Sequence, residues 1–116
     1  MDALEAKKLL LPIPKEDFII KDFTDRLGKC CAIGHLVRLT SKDPSDYKQD
    51  CDDWVFGENT VNHFVRDDVT NFIKKVHGAR GNLATVNNNN NVNGYTQDNP
   101  KDRVMALLED MINEEK

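Results

Sequence analysis

The chain has 116 residues, of which 39% are hydrophobic and 31% charged, a composition typical of one globular domain. Its net charge of −4 and its lack of a basic run argue against binding to duplex nucleic acid, which requires a basic surface. No apolar run reaches the roughly 18 residues of a membrane helix, and the N-terminus does not resemble a signal peptide. An odd number of cysteines without a secretion signal predicts a reducing, cytoplasmic location.

The first predicted element is a helix over residues 1–12. Asp2 can cap its start, and Pro12 and Pro14 end it. Its predicted buried side consists of three leucines: Leu4, Leu10 and Leu11. The apolar run Leu9–Leu11 would equally serve as a dimer contact, and the sequence leaves both roles open.

A strand and a buried helix are predicted next. Asp17–Thr24 reads DFIIKDFT, which is rich in aromatic and β-branched residues and favours a short strand before a turn. The stretch Lys29–Leu39 has apolar residues on two adjoining helical faces, which predicts a helix buried on most of its surface. Its polar side chains, His35 and Arg38, therefore either face water or line a site.

Residues 41–57 contain a cluster of carboxylates: Asp43, Asp46, Asp50, Asp52 and Asp53. An EF-hand calcium loop needs a glycine at its sixth position and a glutamate at its twelfth. Counted from Asp43, these positions hold Lys48 and Trp54, so the EF-hand is excluded. The segment is interpreted as a solvated acidic loop, with Trp54, Val55 and Phe56 packing into the core.

Two amphipathic helices are predicted in the second half of the chain. The longer helix, at about 59–77, has a continuous apolar seam and ends at Gly78, and a break near Asp67 would give the same pattern. The seam residues are Val61, Phe64, Val65, Val69, Phe72, Ile73 and Val76. The terminal helix, at about 100–113, starts with Asn99 as its cap and Pro100 at its first position. Its predicted buried residues are Val104, Leu107, Leu108 and Met111.

A short strand over residues 82–86 and a flexible, asparagine-rich loop over 87–98 are predicted between these helices. Within the loop, Asn93-Gly94 is a type I′ hairpin signal. Taken together, the elements predict a single α+β domain over residues 1–116. It contains a small antiparallel sheet of roughly two to four short strands packed against three to five helices.

The familiar catalytic templates are absent: the chain has no GxSxG, P-loop, GxGxxG or HExxH motif. Cys31 and His35 stand four residues apart on the predicted buried helix, a spacing that could hold a metal. Cys51, His63 and His77 would have to complete the site, and their spacing fits no known zinc module. The sequence therefore predicts no metal site and no cofactor, and no local signature supports a Cys–His nucleophile.

A more suggestive constellation lies near the C-terminus. Asn87 and Asn88 leave the predicted strand, and Arg103 lies in the first turn of the terminal helix. A helix start favours anions, and arginine can hold phosphate through two parallel hydrogen bonds. Asparagine amides can read base edges or ribose hydroxyls. Together these residues could form a nucleotide-phosphate pocket without a hydrolytic group, but taken alone they favour a solvated arginine beside a disordered loop.

Three pieces in this order resemble a family of small phage and bacterial proteins. They are a C-x-x-G-(A/H)-L helix at Cys31–Leu36, a strand end of the V-x-N-(N/D) type at Ala84–Asn88, and a helix opening at Pro100–Leu108. The resemblance covers roughly Phe18–Met111. In size and layout the chain looks similar to the Thoeris anti-defence proteins of phages. Such proteins sequester the cyclic ADP-ribose signal of a TIR-domain defence enzyme without degrading it.

The resemblance implies non-enzymatic sequestration of a cyclic nucleotide immune signal in the host cell cytoplasm, by a homodimer or higher homo-oligomer. Asn87, Asn88 and Arg103 match motif positions and are implied to contact the ligand. His35 and Phe72 complete the predicted ligand-binding set. Phe72 or Phe23 would stack on an adenine, although no motif places either of them.

Two other functional classes stay open. The first is a protein-interaction module or inhibitor that docks through the acidic segment Asp43–Asp53. The second is a small hydrolase or transferase that uses Cys31 or His35. The asparagine-rich insertion is longer than the family pattern leads one to expect, so the pocket could form within one chain or across an interface.

Overall fold

The computed structural model describes residues 1–20, 31–40, 60–92 and 94–115. These residues are mostly helical and form no sheet, so the predicted α+β fold is wrong. The helices are α1 (Ala3–Leu10), α2 (Ala32–Thr40), α3 (residues 60–77), α4 (Leu83–Asn88) and α5 (Pro100–Glu115). No described helix is both long and apolar enough to cross a membrane.

The strand predicted over 82–86 is replaced by helix α4. Asn82 caps this helix, because its side-chain oxygen accepts a hydrogen bond from the Thr85 backbone N–H at 3.2 Å. In return, the Thr85 hydroxyl accepts one from the Asn82 N–H at 3.2 Å. This reciprocal capping box satisfies two backbone donors at the helix start. It outweighs the modest β-propensity of Thr85 and Val86, which is the only support for a strand in so short a segment.

The strand predicted at Asp17–Thr24 is also not observed where the chain is described. Lys15–Asp17 is a single 3-10 turn that begins after Pro14. The backbone becomes extended at Phe18, whose ring is buried in the core. Residues 21–24 of the predicted strand, the turn after it and the acidic segment at 41–57 lie outside the described residues, and so does Phe23.

Helix α1 begins as predicted, but it buries a different face. The Asp2 side chain accepts a hydrogen bond from the Glu5 N–H at 2.9 Å, which confirms its capping role. The buried residues are Ala3, Ala6 and Leu10, whereas Leu4 and Leu11 are 47% and 57% exposed. Small alanine side chains allow the close approach of α2 and α5, against which α1 packs.

Helix α3 contains a widened turn where a break was considered. It runs as α-helix over Thr60–His63, π-helix over Phe64–Asp68 and α-helix again over Val69–His77. The Val69 N–H donates to the Phe64 carbonyl, five residues back, which is the hydrogen bond that defines a π-turn. Gly78 ends the helix with φ of 63°, as predicted. Most of the predicted seam is buried, but Val76 is 43% exposed.

Helix α5 is the element on which the others assemble. It contacts α1, α2, α4 and the 3-10 turn. Its predicted cap is confirmed, because the Asn99 side-chain oxygen accepts hydrogen bonds from the N–H groups of Lys101 at 2.8 Å and Asp102 at 3.3 Å. All four predicted apolar residues of this helix are buried, and so is Arg103. The Lys101 ammonium donates to the carbonyls of Leu11 and Ile13, which ties the end of α1 to the start of α5.

Candidate functional site

Arg103 lies at the point where α5 meets the end of α4. Its side chain is only 4% exposed, because position 103 falls on the buried face of α5. Nε donates to the Val86 carbonyl at 2.9 Å, and the two terminal nitrogens donate to the carbonyls of Asn87 and Gln97 at 2.7 Å. The Val86 and Asn87 carbonyls belong to the last turn of α4. Carbonyls in the last turn of a helix have no N–H partner within that helix. The guanidinium thus caps a helix end, and its role as a phosphate ligand stays a prediction.

Asn87 lies at the C-terminal end of helix α4 and not at a strand end, and it is fully buried. Its side-chain oxygen accepts from the Ala32 N–H at 3.0 Å, which caps the start of α2. Its amide nitrogen donates to the Ile19 carbonyl at 2.9 Å and to the Asn88 side-chain oxygen at 3.0 Å. Asn87 therefore joins three parts of the fold. The structure brings Asn87, Asn88 and Arg103 together through hydrogen bonds within the protein.

His35 is also buried and hydrogen-bonded within the protein. Its Nε2 lies 2.9 Å from the Asp17 carbonyl, and its Nδ1 lies 3.2 Å from an Arg38 nitrogen. A carbonyl only accepts and a guanidinium only donates, so these contacts fit the neutral imidazole protonated on Nε2. The neighbouring Cys31 thiol is buried, and its sulfur lies 3.5 Å from the Gly34 N–H that donates to it. No group of potential metal ligands is found among the described residues.

A buried tyrosine anchors the asparagine-rich segment. Tyr95 is fully buried, and its N–H donates to the Val92 carbonyl at 2.9 Å across the predicted Asn93-Gly94 turn. Its hydroxyl donates to Asp110 at 2.8 Å, and His77 Nε2 lies 2.9 Å from the same oxygen. Gly94 has φ of 92°, and a Cβ there would meet the His77 ring at 2.9 Å, so this turn requires glycine. The segment predicted to be a flexible loop is thus fixed at Tyr95.

The buried, hydrogen-bonded hydroxyl of Tyr95 predicts that the free energy of unfolding falls at alkaline pH. Burial, and then the hydrogen bond to Asp110, raise the pKa of Tyr95 above its ordinary value. The unfolded chain therefore loses this proton first as the pH rises above about 10. The free energy of unfolding should then fall by about 1.4 kcal/mol per pH unit from this group alone. The Tyr95→Phe variant lacks this component, and urea denaturation at pH 9 to 11 measures it. An unchanged slope in the variant would contradict the assignment.

Phe72, the aromatic residue of the predicted site, lines a cavity of about 350 Å³ between α1, α3 and α5. Phe64, Ala3 and Met111 supply further apolar lining, and the remaining lining residues are polar: Asp2, Asp68, Asn71, Lys75, Glu114 and Glu115. We call it the Phe72 cavity. None of Asn87, Asn88, Arg103 and His35 lines it, so the structure separates Phe72 from the other predicted site residues.

Another cavity, of about 470 Å³, lies at the C-terminal end of α3. It is lined by Thr70, Lys74, Gly78, Ala79 and Arg80, and we call it the Lys74 cavity. Among the described residues, its lining contains two cationic side chains, both exposed, and no carboxylate. The carbonyls at a helix C-terminus carry about half a negative charge in total, so the two full positive charges outweigh them. This cavity is suited to an anionic ligand.

Lys74 and Arg80 were not predicted as site residues, since a lysine on the solvent-facing side of a helix is ordinarily solvated. The available signal was the run KKVHGAR at residues 74–80, where three basic residues and a helix stop occur in seven positions. A basic cluster at the end of an amphipathic helix places cations beside the backbone turn that follows.

Comparison of the chain with protein-family models, curated proteins and solved structures gives no match.

Proposed function

We propose that the protein binds a small anionic signal of the cyclic nucleotide type and sequesters it without turnover. The observation that carries the proposal is the Lys74 cavity, which both Lys74 and Arg80 line and to which no described residue contributes a carboxylate. Its volume lies in the range of small-molecule sites, about 300–1,000 Å³. The anti-defence role and the homo-oligomeric state are proposed from the resemblance to Thoeris anti-defence proteins alone.

The site that we propose is the Lys74 cavity and not Arg103. Three nitrogens of that guanidinium already donate to backbone carbonyls, so binding phosphate there would first break these buried hydrogen bonds. Lys74 and Arg80, in contrast, are exposed and make no ion pair with any described residue. Arginine can hold a phosphate through two hydrogen bonds, and a nearby lysine adds a point charge. The Thr70 hydroxyl, one turn before Lys74, is a further donor for a ribose or phosphate oxygen.

Calorimetry against cyclic ADP-ribose isomers tests this proposal. We expect stoichiometric binding, and we expect chromatography after heat denaturation to recover the intact ligand. The double variant Lys74→Ala/Arg80→Ala should bind roughly ten- to hundredfold more weakly, because two charge-assisted contacts are lost. Lys8→Ala, which removes an exposed cation on α1, serves as the matched control and should bind like the parent.

Three outcomes would count against the proposal in different ways. Absence of binding by folded protein would remove the nucleotide function. Binding with recovery of a cleaved ligand would indicate an enzyme. Equal binding by the parent and the double variant would keep the function but place the site elsewhere.

A further inference from the structure

The Phe72 cavity carries a charge opposite to that of the Lys74 cavity. Four of its lining residues are carboxylates: Asp2, Asp68, Glu114 and Glu115. Among the described residues of the lining there is one ammonium, that of Lys75, whose Nζ lies 2.8 Å from Glu114 Oε1. The lining is therefore net negative at neutral pH and repels a nucleotide phosphate. A ligand of this cavity must differ in charge from the ligand proposed above.

The bottom of the Phe72 cavity is apolar. Phe64 and Phe72 are 1% and 8% exposed, and Met111 and Ala3 lie beside them in the lining. Aromatic rings attract cations, and a thioether adapts to ligands of irregular shape. An apolar floor beneath an acidic rim thus matches a molecule that combines an apolar body with a positive charge.

The π-turn of α3 gives an independent reason to regard this cavity as a site. Its first residue, Phe64, and its last residue, Asp68, both line the cavity. A π-turn inserted in an α-helix is uncommon and occurs frequently at functional sites. Here it supplies one apolar and one acidic group to the same cavity, which are the two features that the charge and the floor already indicate.

One ammonium, that of Lys75, already contacts a carboxylate at the acidic rim of the Phe72 cavity. Its Nζ lies at hydrogen-bond distance from Glu114, and this contact raises the pKa of Lys75. Asp68 Oδ1 lies 3.9 Å from His63 Nε2. Neither Asp68 nor Glu115 has a lysine or arginine partner among the described residues. The rim therefore holds more carboxylates than Lys75 can neutralise. We propose that the Phe72 cavity binds a small organic amine, with its ammonium at the acidic rim and its apolar body against Phe64 and Phe72.

Three probes that share one skeleton test the charge requirement. Phenethylamine, phenethyl alcohol and phenylacetate are titrated separately into the full chain, labelled with ¹⁵N, and amide shifts are followed by nuclear magnetic resonance. We expect phenethylamine to shift the amides of Asp68, Asn71 and Glu115 and to bind roughly ten- to hundredfold more tightly than the alcohol. Phenylacetate should not bind. Equal binding of amine and alcohol, or absence of binding by the amine, would overturn the proposal.

Two substitutions at the rim should act in opposite directions. Lys75→Met removes the internal competitor and should tighten phenethylamine binding, whereas Glu114→Gln/Glu115→Gln removes two carboxylates and should weaken it at least roughly tenfold. Glu16→Gln, an exposed carboxylate outside the cavity, is the matched control and should leave the affinity unchanged. The same spectra show whether each variant is folded. Unchanged affinity in both rim variants would exclude an ammonium at this rim.

Discussion

The Arg103→Ala variant is expected to lose about 3–5 kcal/mol of its free energy of unfolding. The substitution removes three hydrogen bonds and leaves the Val86 and Asn87 carbonyls at the end of α4 without their donors. Each unsatisfied buried carbonyl costs about 1–3 kcal/mol. Since a domain of this size has only about 5–15 kcal/mol in total, a large share of the variant should unfold at modest urea concentrations. Urea denaturation followed by circular dichroism at 222 nm measures the loss.

Two further arginine variants make this result specific. Arg103→Lys keeps a positive charge but offers a single nitrogen in place of the planar fork, so its loss should be intermediate. Arg80→Ala removes an exposed arginine and should change the free energy of unfolding by less than about 0.5 kcal/mol. If Arg103→Ala were as stable as Arg80→Ala, Arg103 would not cap α4, and a ligand-binding role would regain support.

The second large effect is expected at Asn87. Asn87→Ala leaves the Ala32 N–H and the Ile19 carbonyl without their partners, which should cost about 2–4 kcal/mol of the free energy of unfolding. Alanine has the higher helix propensity, but by less than about 1 kcal/mol, so it does not offset the loss. Chemical denaturation measures the difference from the parent.

The same asparagine run supplies the control. Asn90 is exposed, and Asn90→Ala should change the free energy of unfolding by less than about 0.5 kcal/mol. The comparison is between two asparagines three positions apart, of which Asn87 is buried and Asn90 is exposed. Equal losses at the two positions would show that the Asn87 amide does not hold α2 to α4.

The predictions that succeeded depend on local hydrogen bonding. Asn99 caps α5 and Gly78 ends α3, as expected, because the side chain or backbone freedom of one residue determines each boundary. The buried stripe of α5 was also predictable from its helical spacing. These features need no knowledge of how the helices pack.

The predicted fold class was wrong because it depended on strands predicted in two short segments, 17–24 and 82–86. Residues 82–86 are too few for periodicity to distinguish strand from helix. The deciding signal was Asn82 followed by Thr85 three positions later, which is a capping box built with threonine in place of the usual glutamate. At 17–24, the turn after Pro14 occupies the first predicted strand residue.

The candidate site illustrates a different difficulty. Arg103 stands four residues before Leu107 and eight before Met111, so its helical position already predicted burial. Its charge favoured the opposite interpretation, since a buried arginine is rare unless paired. For Asn87 no such signal exists, because it is one of five consecutive asparagines and only the tertiary structure distinguishes it from the others. The Phe72 cavity likewise depends on how α1, α3 and α5 come together.

The contact between α1 and α5 determines when the chain can finish folding. Helix α1 packs against a helix about one hundred residues later, and the Lys101 ammonium bonds to the carbonyl of Leu11 at the end of α1. During synthesis, at about 5–20 residues per second, α1 emerges several seconds before the surface that buries it exists. An eight-residue helix is not stable alone in water. Helix α1 is therefore synthesised before α5 but stabilised only after it, and the leucines of α1 remain accessible to chaperones throughout that interval.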